Sequence, residues 1–561
     1  MNYKQHIAKK IILPEFSVEE ITNNIVPAQE ASHGDYSLPC FSFAKALKKS
    51  PIAIATEIKD KFTPDKYVSK VEVVAGYVNF FLERNEFIDG FLCDYQKNGT
   101  PFASNKPNKK TICIDYSSIN IAKPFHIGHL LTTAIGGSLY RIFSHLGYNV
   151  VGINHLGDYG TQFGKLISAY KRWGNKEQIE KGGITALTEI YVKFHEEAKN
   201  DISLEDEARK YFLDIENGEK EAIELFNWFK ALTMLEVEKV YKRLGVVFDS
   251  YNGEAFYNDK MQPVIDALEN KKLLTVSDGA KVVDLEQFDM PPCLILKSDG
   301  ASLYATRDLA AAMYRQSEYK FDKNLYVVAY QQNLHFKQVF KVLDLLGHKW
   351  ADDCIHVPFG MVSLEGGLSM STREGRVVYL SDVLQTAVDK TLFIIEQKNP
   401  NLEKQEKVEI AEKVGVGAVV FMALSTNRIK DLVFSFDRAL NFDGETAPYI
   451  QYTHTRCRSI LNKASLSKTK GDYELEDLTD DDSFAIIKVL SRFDEVVIAS
   501  ANKYEPSILA KYLIDLCQLF NKYYTIHKIL GDKAREILTS IVAEAIKKGL
   551  SLLLIDAPDK M

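Results

Sequence analysis

Two histidines three residues apart, in His126-Ile127-Gly128-His129, follow Lys123 and stand between a β-branched apolar run and a long run of helical periodicity. Free backbone N–H groups at a helix start attract anions. Gly128 lets a phosphate or a ribose approach the backbone closely, the imidazoles can donate hydrogen bonds to a phosphate that gains charge, and Lys123 adds a positive charge. Such a set suits displacement at an α-phosphate, where positioning and charge stabilisation outweigh covalent catalysis. Alone it reads as an adenylating or nucleotidyl-transferring site. Two capping histidines at an ordinary helix start would look similar; the strand, loop, glycine and lysine around them favour the phosphate reading.

The elements that must hold this loop run strand, loop, helix, strand. Thr111 to Tyr116 is rich in β-branched and aromatic residues. Ile127, Leu130, Leu131, Ala134, Ile135, Leu139, Ile142, Phe143 and Leu146 then recur at helical spacing up to a stop at Gly147, and Asn149 to Ile153 restores a strand. This βαβ pattern predicts a parallel sheet with its ligand at the C-terminal edge of the strands. A charged helical stretch from about residue 165 to 250 opens an insertion that extends to about 290. Cys293 to Lys297, the Asp299-Gly300 turn and Ser302 to Ala305 suggest a hairpin. Leu325 to Ala329 and Cys354 to Phe359 read as further buried strands. Upstream, Pro51 opens an amphipathic segment, Val71 to Phe81 reads as strand, turn and strand, and the polar run Ser104 to Lys110 is a linker. The expected architecture is multidomain α/β plus all-α. It has an N-terminal α+β appendage (1–106), a Rossmann-type parallel-sheet catalytic domain with a helical insertion (107–435, insertion about 165–290) and a C-terminal helical bundle (436–561).

The 561 residues carry a net charge of -7, which argues only weakly against a nucleic-acid partner, because phosphate binding needs a local basic surface. The seven cysteines (40, 93, 113, 293, 354, 457 and 517) are odd in number and contain no CxxC pair. No structural zinc, no other protein-bound metal and no disulfide framework is expected, and a reduced, cytoplasmic setting is. The N-terminus lacks the apolar core of a signal peptide, and no run of apolar residues is long enough to predict a membrane span.

The segment Asn120-Ile121-Ala122-Lys123-Pro124-Phe125-His126-Ile127-Gly128-His129 resembles the HIGH signature of class I aminoacyl-tRNA synthetases, and its flanks resemble the arginyl-tRNA synthetase family in particular. The likeness runs from Gly34-Asp35-Tyr36 to Met561. It implies an arginine–tRNA ligase that uses L-arginine, ATP with Mg²⁺ and tRNA(Arg), working as a monomer. Leu368-Ser369-Met370-Ser371-Thr372-Arg373-Glu374-Gly375 takes the place of the mobile KMSKS loop, with Ser369 and Thr372 where that motif has lysines. By resemblance Lys123 then supplies the missing charge beside His126, Gly128 and His129, and Arg373 adds a guanidinium from the loop. Ser118, Gly360, Met361, Val362, Met370 and Ser371 join Lys123 and the HIGH residues around ATP.

For the amino acid, the resemblance points to Asp115 and Asp308 as acidic contacts, Asn120 and Gln332 as polar ones, and Tyr304 as a wall with a polar tip. A guanidinium suits this choice, since one carboxylate can accept two of its N–H groups. Asp308 could equally serve as a first-turn acid of the helix after Thr306. Asn154 to Gln162, after the second strand, is either a ligand-lining loop or a tight turn, and His335 either reaches a ribose or is satisfied in the core. In the bundle, Tyr449, Tyr452 and Arg456 interleave aromatic and cationic side chains as an RNA surface does, or else the tyrosines are core. The resemblance adds Met561 to the tRNA contacts and places the N-terminal appendage at the tRNA elbow. A shorter nucleotidyltransferase sharing the HIGH-like motif has no reason to carry the long helical C-terminus.

Overall fold

The computed structural model describes residues 2–28, 30–98, 102–121, 123, 125–298, 304–365, 378–464 and 475–561. These form two compact units: Met1–Pro101 with Ile460–Arg492 and Leu519–Val542, and Phe102–Ser459 with Phe493–Gln518 and Ala543–Met561.

In the first unit, β1 (Val26–Pro27), β2 (Tyr36–Pro39), β3 (Val68–Val74) and β4 (Tyr77–Leu82) form an antiparallel sheet in the order β1-β2-β4-β3. The β3–β4 turn places Ala75 and Gly76 at φ 47° and 87°, the left-handed pair that a two-residue hairpin requires. Helix Pro51–Lys61 starts on Ser50, whose side chain accepts the Ala53 N–H, with proline in its first turn. It buries Ile54, Ala55 and Ile58. Arg84 ties Thr479 and Asp481 to this unit, donating to the Thr479 carbonyl at 2.7 Å and to the Asp481 carboxylate at 2.6 Å.

The second unit holds a parallel sheet of β5 (Thr111–Asp115) and β6 (Asn149–Ile153) with two later strands. Between them in the chain come a set of helices, Thr161–Trp173, Lys176–Glu197, Ser203–Glu216 and Lys220–Leu244, and then β7 (Leu274–Ser277), β8 (Ala280–Val283) and β9 (Cys293–Leu296). β10 (Lys323–Tyr326) and β11 (Cys354–His356) complete the order β11-β10-β5-β6. Ile112 to Asp115 are all buried, as expected of a parallel strand covered on both faces. The crossover helix Leu130–His145 is buried along most of its length. It stops at Gly147, where φ is 85° and an added Cβ would fall 2.2 Å from the Lys106 carbonyl oxygen.

Two expectations change. β9 pairs antiparallel with β8, inside a three-stranded sheet β7-β8-β9 that the helical reading of the insertion missed. Tyr304 and Ala305 do not form the second arm of a hairpin but open helix Tyr304–Tyr319. Ala305, Leu309 and Ala312 are buried at helical spacing, and Thr306 Oγ1 donates to the Ile295 carbonyl at 2.6 Å, which fastens the helix start to β9. A parallel pair of β12 (Val362–Leu364) and β13 (Leu432–Phe434) follows. Beyond residue 436 the described chain is helical, in Ala447–Lys463, Asp481–Leu490, Phe493–Asn502, Ser507–Ile526 and Lys533–Leu552. Among the described residues, no helix is long and apolar enough to cross a membrane.

Candidate active site

The chain leaves β5 through a sharp turn in which Ser117 and Ser118 both adopt positive φ, 67° and 43°. Two consecutive non-glycine residues there are strained and need fixing. The Ser117 N–H donates to Thr132 Oγ1 at 3.0 Å, and its Oγ lies 2.8 Å from the Tyr241 hydroxyl and 3.0 Å from Thr133 Oγ1. Tyr241, from the insertion helix Lys220–Leu244, also accepts from Asn154 Nδ2 at 2.9 Å and sets its ring against Phe125. One buried hydroxyl thus joins the loops after β5 and β6. Those loops also meet directly: the Ile121 N–H donates to the Gly157 carbonyl at 3.1 Å, and the Gly157 N–H to the Ile119 carbonyl at 2.8 Å. A Cβ on Gly157 would lie 2.6 Å from Asn120 Oδ1, so this glycine serves close loop packing. Asn120 itself is exposed.

The HIGH residues form a 3-10 turn, Ile127–His129, that runs into the crossover helix. His126 Nδ1 accepts the Gly128 N–H at 3.0 Å, which leaves Nε2 to carry the proton of the neutral ring. His129 Nδ1 lies 3.2 Å from the His126 carbonyl, and the two rings are 4.2 Å apart. Burial lowers the pKa of His126, and burial together with His126 and Lys123 takes His129 down to about 3. Both imidazoles are therefore neutral near pH 7 and act as hydrogen-bonding groups rather than cations. The half-buried Lys123 lies close enough to act electrostatically on both His129 and Glu254. On the far side, the Ile127 N–H donates to Val378 O and the Leu380 N–H to Phe125 O, joining the loop to the start of helix Leu380–Lys398. Met370, Ser371 and Arg373, with the rest of 366–377, lie outside the described residues. Gly360 donates its N–H to Arg428 O and Met361 its N–H to Asp431 Oδ1, while Val362 is buried in β12. A Cβ at Gly360 would meet the Lys430 carbonyl at 2.5 Å.

Of the proposed amino-acid contacts, Tyr304 and Asp308 lie on helix Tyr304–Tyr319, and Asp115 is joined to it through Arg315. Tyr304 is its exposed first residue. Asp308 accepts from His335 Nε2 at 2.5 Å; burial opposes its ionised form, but His335, His155 and Arg315 outweigh this and lower its pKa. His335 is thus engaged by a carboxylate, and Gln332, at the end of a 3-10 turn after β10, is exposed. Asp115, the last residue of β5, is buried and already engaged: it accepts from Arg315 Nη2 at 2.7 Å and from Ser118 Oγ at 2.6 Å.

The residue reading had Asp158 only as part of the candidate loop Asn154 to Gln162 and missed Glu254 and Arg315 altogether. Glu254 begins a 3-10 segment beside Asp158 and Asp308, 4.0 Å from Arg307, and burial pushes its carboxyl up to about 7. Asp158, 2% exposed, accepts from Lys230 Nζ at 2.7 Å and from the Ala255 N–H at 2.9 Å, which fixes the backbone next to Glu254. For Arg315, its spacing of seven from Asp308, two helical turns on one face, was the available signal. Glu254 and Tyr241 come from the insertion side with no such signal.

In the bundle, Tyr452 is exposed with the Arg456 guanidinium 4.9 Å over its ring, Tyr449 is half-buried, and so is Met561. Their neighbours Gln451 and His454 are core, bonded to the Asp556 and Pro558 carbonyls.

Residues 95–436 match the family described as tRNA synthetases class I (R), catalytic domain; residues 1–82 match the arginyl tRNA synthetase N terminal domain, and 450–561 the DALR anticodon binding domain. The arginine–tRNA ligase of Halothermothrix orenii is 50% identical over 98% of this chain and 97% of its own, and that of Clostridium beijerinckii is 48% identical over all of both. Among solved structures, Thermus thermophilus arginyl-tRNA synthetase superposes with a TM-score of 0.83 at 26% identity, covering 96% of each chain. The Plasmodium falciparum enzyme, at 23% identity and a TM-score of 0.79, shares the fold. With one matching model spanning most of the chain and relatives half identical from end to end, the chain belongs to the arginyl-tRNA synthetase family of class I tRNA synthetases.

Proposed function

We infer that this site activates L-arginine with ATP and passes the arginyl group to the 3′-terminal adenosine of tRNA(Arg). The observation that carries the reading is the position of Lys123, which acts on the phosphate-loop histidine His129 and on the acid-lined recess at Glu254. A substrate with its guanidinium on Glu254 and Asp308 and its carboxylate toward the HIGH turn spans those two ends. Arg307, packed over the Tyr159 ring at 4.3 Å, backs the recess.

In the first step a carboxylate oxygen of arginine attacks the α-phosphorus of ATP, which arrives as its Mg²⁺ complex, and pyrophosphate leaves. Neutral His126 donates its Nε2–H to a phosphoryl oxygen, His129, whose Nδ1–H goes to the His126 carbonyl, steadies that turn, and the Lys123 ammonium supplies fixed charge. A ring whose pKa lies near 3 is a poor proton acceptor, which suits His129 to hydrogen bonding rather than base catalysis. In the second step a ribose hydroxyl of the tRNA attacks the adenylate carbonyl and AMP leaves. Asn120, Gln332 and Tyr304 border the amino acid in this reading, and Ser118, Gly360, Met361 and Val362 border ATP. Arg373, Met370 and Ser371, outside the described residues, are assigned to the ATP side by the resemblance alone. Tyr449, Tyr452, Arg456 and Met561 face tRNA, as does the N-terminal appendage. The reading includes a monomer acting in the cytoplasm, with no structural zinc expected.

The test is ATP–pyrophosphate exchange with each amino acid in turn, with and without total tRNA. Exchange with arginine that requires tRNA is expected; exchange driven by another amino acid, or none with arginine, overturns the reading.

A further inference from the structure

Three stretches without regular structure meet beside β12. Gly360 and Met361 lead into that strand, residues 425–431 lead into β13, and Glu505 stands between the bundle helices Phe493–Asn502 and Ser507–Ile526. The chain reaches Glu505 by a turn in which Tyr504 takes φ 52°, a left-handed conformation that helix ends usually leave to glycine. The Glu505 side chain is only 7% exposed and fully engaged: Ser507 Oγ donates to its Oε1 at 2.9 Å, and Arg428 Nη1 to its Oε2 at 3.0 Å. The same carboxylate accepts the Arg428 backbone N–H, at 3.3 and 3.4 Å. The Arg428 carbonyl in turn accepts the Gly360 N–H at 2.8 Å. Arg428 is therefore held by Glu505 on one of its peptide groups and holds Gly360 with the other. Two further bonds continue the hold: Asp431 Oδ1 accepts the Met361 N–H at 2.7 Å, and the Met361 carbonyl accepts the Leu432 N–H at 2.7 Å.

We propose that Glu505 and Arg428 are positioning residues for ATP: the carboxylate fixes the Arg428 backbone, and that backbone sets where Gly360 and Met361 stand. This rests on the reading above that Gly360 and Met361 border ATP. As a device for stability alone the pair is a poor one. Arg428 Nε is buried with no acceptor among the described residues, and an apolar pair of similar volume stabilises a fold as well or better. What the pair does supply is direction, because one carboxylate grips a side chain and the main chain of the same residue. The Met361 side chain, 47% exposed, is what the fixed backbone presents. Glu505 belongs to the stretch matched to the anticodon binding domain, whereas Arg428 and Gly360 belong to the one matched to the catalytic domain. A residue of the bundle domain thereby takes part in placing the nucleotide.

The experiment measures the KM for ATP and the KM for arginine separately, in arginine-dependent ATP–pyrophosphate exchange with tRNA saturating. Glu505→Gln keeps the size of the side chain and removes its charge, so the ATP KM should rise about fivefold or more while the arginine KM stays within about twofold. Arg428→Met should do the same, and Arg428→Lys, which keeps a cation within reach of the carboxylate, should do so less. Glu505→Asp gives the same comparison if the glutamine variant does not fold, as judged by thermal unfolding. Met361→Ala is the control for the underlying reading and should raise the ATP KM by itself. If it does not, Met361 does not border ATP and the inference falls with that reading. If it does, and the ATP KM of Glu505→Gln and Arg428→Met equals that of wild type, the positioning proposal alone is overturned. A parallel rise of both KM values with a lowered thermal midpoint overturns it too, because the pair would then only hold the fold together.

Discussion

Replacing Glu254 with glutamine should remove a pH dependence that the wild-type enzyme shows for arginine. Burial pushes the Glu254 carboxyl from its ordinary 4.5 up to about 7; Asp308 and Asp158 add to the rise, and Arg307 and Lys123 oppose it. A rise of about 2.5 pH units corresponds to roughly 3 kcal/mol held against the ionised form. In the free enzyme this raised pKa contributes stability that is fully present below about pH 4.5 and is lost as pH climbs through about 7. Arginine binding has the opposite preference, because a guanidinium on Glu254 favours the carboxylate. A proton therefore leaves as arginine enters near neutral pH. At about pH 5.5, roughly 1.5 units below that pKa, the KM for arginine should stand about 30-fold above its value at about pH 8. The assay is the arginine KM in ATP–pyrophosphate exchange across this range, with ATP and tRNA saturating. Calorimetry in two buffers of different ionisation enthalpy counts the released proton. In Glu254→Gln the KM should be high and nearly flat with pH. A flat wild-type profile, or the same slope surviving in Glu254→Gln, would refute the assignment.

Lys123→Ala should lower the exchange rate by about two to three orders of magnitude, the scale of losing one fixed charge-stabilising donor; near-normal exchange would take Lys123 out of the mechanism. Gly136→Ala should destabilise the protein, because the new Cβ would fall 2.2 Å from Tyr116 Cβ in the layer between the crossover helix and the loop after β5. Overpacking of that kind costs about 1–3 kcal/mol and should lower the thermal midpoint by a few degrees, so an unshifted melting curve would contradict the packing.

What could be read from the residues was what is local. The crossover from Thr111 to Ile153 shows in its periodicity and in Gly147, since a helix, its left-handed stop and the returning strand are all written within forty-odd residues. Tyr304-Ala305 was misread because two residues after a glycine turn have no period of their own. The helix they open is decided by Thr306 bonding Ile295 and by apolar residues that repeat only further on. The acids divided in the same way. Asp115 and Asp308 stand in recognisable segments, yet their partners Arg315 and His335 are set by how helix Tyr304–Tyr319 lies on the sheet. Glu254 is fixed at the site by the loop after β6: Leu156 accepts its N–H, and Asp158, itself held by Lys230, accepts the Ala255 N–H from 97 residues away in the chain.

This division bears on the loss of both lysines from the second loop. With His126 and His129 neutral, the HIGH turn brings the His126 Nε2–H but no cationic imidazole to the α-phosphate, and the charge must come from elsewhere. Among the described residues Lys123 is a cation whose charge bears on both His129 and Glu254, and in the reading proposed here it supplies that charge. A cation in that position couples the two halves of the substrate. Ionising Glu254 for the guanidinium also strengthens its hold on Lys123, so the same event that seats arginine fixes the charge that ATP must meet. Double substitution at Lys123 and Glu254 should therefore be non-additive in arginine-dependent exchange. Strictly additive losses would show that the two ends of the site act independently.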